Sequence, residues 1–153
     1  MTMRNHPGQG SASWGTRVAA TLVDAGVIFL IVVALVAIPA LIYRDPGGWG
    51  EVGGVFVLVV APLYFALLQA EGQTVGQRSF GIDVRRRGSL DRLGYGRAFS
   101  RALVTFFFIL TGIVWIFDVL WPLWDEHKQA LHDKVVGSAV VEVGARYALL
   151  YKP

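Results

Sequence analysis

The chain contains no cysteine. That excludes disulfides, thiolate metal sites and a cysteine nucleophile, and it leaves the redox compartment unread. Charge is also scarce. Asp, Glu, Lys and Arg make up 16% of the 153 residues, against about 25% in a soluble domain. No GxSxG nucleophile turn and no HExxH zinc helix occurs. The three histidines stand outside the long apolar runs. His127, His132 and Asp133, with Asp125 and Glu126, fit no zinc spacing and read as a solvated linker. The expectation is therefore no enzyme, no metal and no cofactor. Aromatic and basic residues are not interleaved as in a single-strand binder, so nucleic acid is not an expected partner.

Apolar sequence is what the chain has in excess. Hydrophobic residues reach 54%, with a mean hydropathy of +0.52. The length suits one compact unit. The stretch Arg17 to Ile42 organises the rest. Its 26 positions make a helix of ~39 Å at the usual rise per residue, enough to cross a hydrocarbon core about 30 Å thick. Arg17 stands at its entrance, and Asp24 follows seven positions later on the same face. A central Asp costs ~2.5–3.5 kcal/mol on insertion scales. It normally faces protein, a partner charge or a water-filled path.

Taken in order, residues 1–16 read as a flexible polar lead-in, too far from a signal peptide in pattern to be one. Ser13 or Thr16 is the candidate cap of the first helix. Spans are expected at about 18–42, 52–70 and 102–124. A short polar turn over 44–54 joins the first two. Tyr64 and Gln69 are the polar groups of the second span that can line an internal face. The segment 71–101 holds seven of the fourteen Lys and Arg, which makes it and the N-terminus cytoplasmic by the positive-inside rule. Within it, Ser79 to Arg87 alternates like a short strand, and Asp91 to Arg101 has helix potential at a membrane surface. Gly112 and Pro122 weaken the third apolar segment as a straight helix. The tail, 125–153, carries a Val-rich strand from Asp133 to Val143. The fold expectation is an all-α integral membrane protein with about three transmembrane or apolar helices, and a small β pairing of the 80–87 and 135–143 segments. Three full crossings would put the tail outside, whereas a third segment re-entrant at Gly112 would leave it cytoplasmic. Both stay open.

Arg17 with Asp24 resembles the opening of the RDD membrane-protein family, named for one arginine and two aspartates. The stretch EGQTVGQ, Glu71 to Gln77, followed by Gly81-Ile82-Asp83-Val84, is similar to that family's G-x-T-x-G-K/Q turn and short strand. Leu131-His132-Asp133-Lys134 and Gly137-Ser138-Ala139-Val140-Val141 are like its closing HD-K and G-T-x-V-V pieces. Gln77 stands where Lys is common, and Ser138 where Thr is usual. Asp118 and Asp133 both qualify as the second aspartate. The resemblance implies a multi-pass protein that transports an unidentified small ligand, cation or proton.

The candidate path or charge-relay residues are Arg17, Asp24, Asp118 and Asp133. The alternative is a non-transporting scaffold or accessory subunit in which these charges fix helix packing. The Gly72-Gln73-Thr74-Val75-Gly76 turn either binds a phosphate or an ion through its backbone amides or, the more ordinary reading, simply ends the second span. Arg85, Arg86, Arg87 and Arg92 are expected to meet anionic lipid headgroups. So few spans leave little room for a path, so a homo-oligomer or a subunit of a membrane complex is expected. The expected location is the cell membrane.

Overall fold

The computed structural model describes residues 10–44 and 46–144. Residues 1–9 of the expected lead-in and 145–153 of the tail lie outside them. Helix α1 runs Trp14–Val32 and is capped by Ser13, whose Oγ accepts the Thr16 amide at 3.1 Å. A wide π turn, Val33–Ala37, leads into α2, Ile38–Tyr43. Pro39 lies just beyond that turn. A proline has no N–H to donate, and its ring crowds the carbonyl four residues back, so a widened turn relieves it. The three pieces form one 30-residue rod, Trp14–Tyr43, in which an 18-residue stretch has mean hydropathy 3.0.

Helix α3 spans Pro46–Glu71. It begins earlier than the sequence suggested, so most of the expected polar turn over 44–54 is helix. Pro46 at the first position suits a helix start, since its missing N–H has no partner there anyway. Trp49 stacks on Tyr43 with ring centres 6.1 Å apart. Deeper along the pair, a Cβ on Gly53 would come within 2.9 Å of Val36 Cγ1, so glycine is what lets the two rods meet. Elsewhere both rods turn apolar side chains outward, Phe29, Leu41 and Val55 among them.

The rest of the chain builds a cap at one end of these rods. Helix α4, Val75–Ser79, is opened by a reciprocal cap between Thr74 and Gln77. Strand β1, Ile82–Arg86, pairs antiparallel with β2, Ser138–Glu142, with Val84 opposite Val140. Ser11 adds a bridge to Val141. A small core of Ala12, Ala20, Ile82, Val84, Leu93 and Val140 lies beneath the sheet. The β pairing expected from sequence is therefore present, in a shorter form.

The third apolar segment is not one helix. Helix α5, Tyr95–Thr111, stops at Gly112, and α6, Ile113–Leu120, starts directly after it. Gly112 has φ 61° and ψ −66°, a conformation that side chains resist and that reverses the helix. A 3-10 turn, Trp121–Leu123, follows. The tail strand is also shorter than expected. Leu131–Val136 forms helix α7, and Gly137 in the left-handed region at φ 68° ends it before β2 begins.

Candidate functional site: two buried carboxylate centres

Helix α1 buries Ala20 and Asp24 one turn apart on the same face. Helix α4 lies against this face. A Cβ on Gly76 would fall 2.0 Å from the Ala20 carbonyl oxygen, so only glycine fits the contact. The approach lets the Gly76 amide donate to Asp24 Oδ1 at 2.7 Å. Tyr64 of α3 donates its hydroxyl to the same oxygen at 2.7 Å. Thr74 donates to Oδ2 at 2.6 Å, while its oxygen accepts the Gln77 amide at 3.2 Å. One hydroxyl thus serves both partners, with its single proton going to the carboxylate. Asp24 is 1% exposed, and its charge meets three donors, including a first-turn amide of α4. Hydrogen bonds to a charged acceptor are the strong kind. The Gly72–Gly76 motif is therefore the partner of Asp24. Gly72 itself has φ 119°, and a Cβ there would meet Asp83 Oδ1 at 2.6 Å.

The second centre is Asp133, which is completely buried. Arg101 Nε donates to it at 2.9 Å and Ser138 Oγ at 2.7 Å. Arg17 Nη1 lies 3.4 Å away. Each arginine reaches further. Arg17 also donates to the carbonyls of Ala12 at 3.2 Å and Val140 at 3.3 Å. Arg101 donates to Gln69 Oε1 at 2.7 Å. One carboxylate thus ties together the start of α1, α5, α7 and β2, with α3 joined through Gln69. Burial alone would raise the Asp133 pKa. The nearby charges of Arg101, His132 and Arg17, with the Ser138 hydroxyl, more than reverse this and hold it well below the usual carboxylate range.

Asp118 adds a third contact. It accepts the backbone amide of His132 at 2.9 Å and pairs with His132 Nδ1 at 2.6 Å. A carboxylate only accepts, so Nδ1 carries a proton. Nε2 is buried without a hydrogen-bond partner, 3.6 Å from Asp133 Oδ1. Close by, Trp14 Nε1 donates to the Val119 carbonyl at 2.8 Å. Asp118 and Val119 of α6 are thus joined to the first turns of α7 and α1.

Asp24, Asp133 and Asp118 are each buried and bonded. For Asp24 its place in an apolar run suggested this, whereas the burial of Asp133 and Asp125 corrects the reading of that segment as a solvated linker, because α5 and α6 fold against it. The expected Arg17–Asp24 relay does not form. Among the described residues, Arg17 turns to the tail and Asp24 to the motif turn. Gln69 and Tyr64 do line the inside of α3. Arg101 and His132 also belong to these centres, although sequence reading did not count them among the path residues. Arg101 was one of seven cations in a basic segment. Its one signal is the alanine on either side at helical spacing, Ala98 and Ala102, which share its buried face. The four arginines expected at lipid headgroups divide. Arg85 donates Nε and Nη2 to Asp83 at 2.8 and 2.6 Å. Arg92 pairs with Glu71, which also accepts from Tyr95 at 2.8 Å. Arg86 and Arg87 are exposed.

Two long apolar helices that face outward, closed at one end by a layer of buried charge, suggest a membrane protein. The profile of the RDD family matches residues 11–137. This chain belongs to that family. No curated protein and no solved structure matches it beyond this.

Proposed function

We propose that this RDD chain is a multi-pass protein of the cell membrane that works as a packing scaffold or accessory subunit. Its buried charges lock one end of the helix bundle. The carrying observation is Asp24, whose two oxygens meet Tyr64, Thr74 and Gly76 and which is 1% exposed. An acid so engaged, with two donors on Oδ1 and one on Oδ2, serves as a cap for α4. The groove along α3, lined by Glu51, Val52, Val55, Phe56 and Val59, is apolar and suits a lipid tail or a neighbouring helix. The N-terminus and the 71–101 segment lie on the cytoplasmic side, as their arginines favour. Arg86 and Arg87 offer the headgroup contacts, and the outward faces of α1 and α3 offer surface for a second copy or a partner subunit.

The transport reading keeps one specific support. The His132 ring lies between two carboxylates, with Nδ1 toward Asp118 and Nε2, buried without a hydrogen-bond partner, toward Asp133, an arrangement that a relay of buried polar groups would use. Flux in proteoliposomes separates the two readings. Wild type and Asp24→Asn are compared with a trapped pH dye under imposed sodium or potassium gradients, and both are melted in detergent. The scaffold reading expects no flux from either and a lower melting point for Asp24→Asn. Wild-type flux that disappears in a folded Asp24→Asn protein would overturn it.

A further inference from the structure

We infer that the α5–α6 hairpin enters only one leaflet and returns to the side it came from, with its tip against lipid acyl chains. This rests on reading the Trp14–Tyr43 rod and α3 as membrane spans. Both legs are anchored in the same charged layer. On the way in, Arg101 bonds Asp133 and Gln69. On the way out, Asp118 bonds His132, and the Val119 carbonyl accepts from Trp14. Beyond this layer, the β1–β2 pairing holds the tail beside the basic segment.

The lengths agree. The uncharged part of the first rod runs from Asp24 to Tyr43, nineteen residues or ~28 Å. From Arg101 to Gly112 is eleven residues, a leg of ~16 Å even if perfectly straight. Its starting point is level with Gln69, which lies five residues, or ~8 Å, past the Tyr64 that meets Asp24. The tip therefore reaches no more than ~9 Å beyond the Asp24 level, within one half of a core about 30 Å thick.

The chemistry of the hairpin suits lipid. Residues 102–117 carry no Asp, Glu, Lys, Arg or His. The two hydroxyls there are bonded internally, Thr105 to the Arg101 carbonyl at 2.9 Å and Thr111 to the Phe108 carbonyl at 2.7 Å. Such internal satisfaction is what a lipid-exposed segment needs. At the tip, Ile113 is 70%, Leu110 61% and Phe107 60% exposed. Gly112 supplies the reversal.

Because the chain has no cysteine, single cysteines report without background. Ser89→Cys and Glu142→Cys mark the basic segment and the tail, and both sites are exposed. Gly50→Cys marks the far end of α3, where a side chain meets open space. Ile113→Cys and Phe117→Cys mark the hairpin. An impermeant maleimide is applied to sealed vesicles of known orientation. Fluorophores at the hairpin cysteines are then tested against lipids brominated on the acyl chain, after a melting check on each variant. The inference expects Ser89 and Glu142 to label from one side and Gly50 from the other. It expects Ile113 and Phe117 to escape the maleimide and to be quenched at least threefold more than Glu142. Glu142 on the opposite side from Ser89 would make the segment a full span and refute the hairpin. Labelling of Ile113 and Phe117 from water, or the absence of both labelling and quenching, would refute the lipid contact. Gly50 and Ser89 on the same side would instead refute the two spans themselves.

Discussion

A single methyl group added to Gly76 should do disproportionate harm. Its Cβ would lie 2.0 Å from the Ala20 carbonyl oxygen and 2.9 Å from Asp24 Cγ. The nearest obstacle is helix backbone, which cannot swing aside as a side chain can. Helix α4 must therefore move off α1, and the Gly76 amide then loses Asp24, now at 2.7 Å. Overpacking costs ~1–3 kcal/mol. Losing a hydrogen bond to a charged group adds ~1.5–3 kcal/mol. The sum is ~2.5–6 kcal/mol. At ~2–4 °C per kcal/mol for a chain of this size, Gly76→Ala should melt at least ~5 °C below wild type. The assay is tryptophan fluorescence during heating in detergent. Gly26→Ala on α1 is the control, since a Cβ there meets nothing, and it should melt at or slightly above wild type. A Gly76→Ala protein melting within ~2 °C of wild type would refute the close packing of α4 on α1.

Asp133→Ala should cost ~3–5 kcal/mol, because it leaves the Arg17 and Arg101 guanidiniums buried without their shared anion. Replacing Asp133 and Arg101 together by apolar residues should cost less than Asp133→Ala alone, read as melting points in the same detergent. Acid should unlock the same centre. The Asp133 pKa is lowered in the folded chain, so its contribution is complete above the unfolded value of ~3.9 and is lost as pH falls toward the folded one. Burial would raise Asp125, but its contacts with Lys134 and the Gln129 amide lower it on balance, and it adds a loss of the same sign. Melting point measured from pH 6 to pH 2 should fall below about pH 4, and less steeply in Asp133→Asn. Gly53→Ala should destabilise by ~1–3 kcal/mol against Val36. Val36→Ala in the same chain should recover most of that, giving a clear coupling energy in a double-mutant cycle.

How legible these features were depended on what made each one stand out. Asp24 was conspicuous as an acid inside an apolar run, and the Gly72–Gly76 turn as a glycine motif. Their meeting was not legible, because fifty residues separate Thr74 from Asp24 and no local rule joins them. Arg101 differed from the solvated arginines of its segment only by the flanking Ala98 and Ala102. Its burial comes from α5 docking on α3 and α7. His132 read as part of a polar linker because its neighbours are charged, but α6 folds over it. The Val-rich tail over-extended the expected strand toward Asp133. Strand propensity does not register that Gly137 takes a left-handed turn there. The β pairing itself was legible from one alternating segment and one Val-rich segment. Gly112 was recognised as a weak point, and the backbone angles turned weakness into reversal.

The Arg17–Asp133 pair also bears on how the protein is made. The partners are 116 residues apart in sequence. At ~5–20 residues per second, a ribosome needs about 6–23 s to travel from one codon to the other. During that interval α1, α3 and Arg101 are translated, while the anion that unites them has yet to be made. A chain that stops before residue 133 would hold both guanidiniums without the carboxylate they share. The ion pair that closes the polar end is therefore late in the order of synthesis, and the helices it unites are made before the carboxylate that joins them.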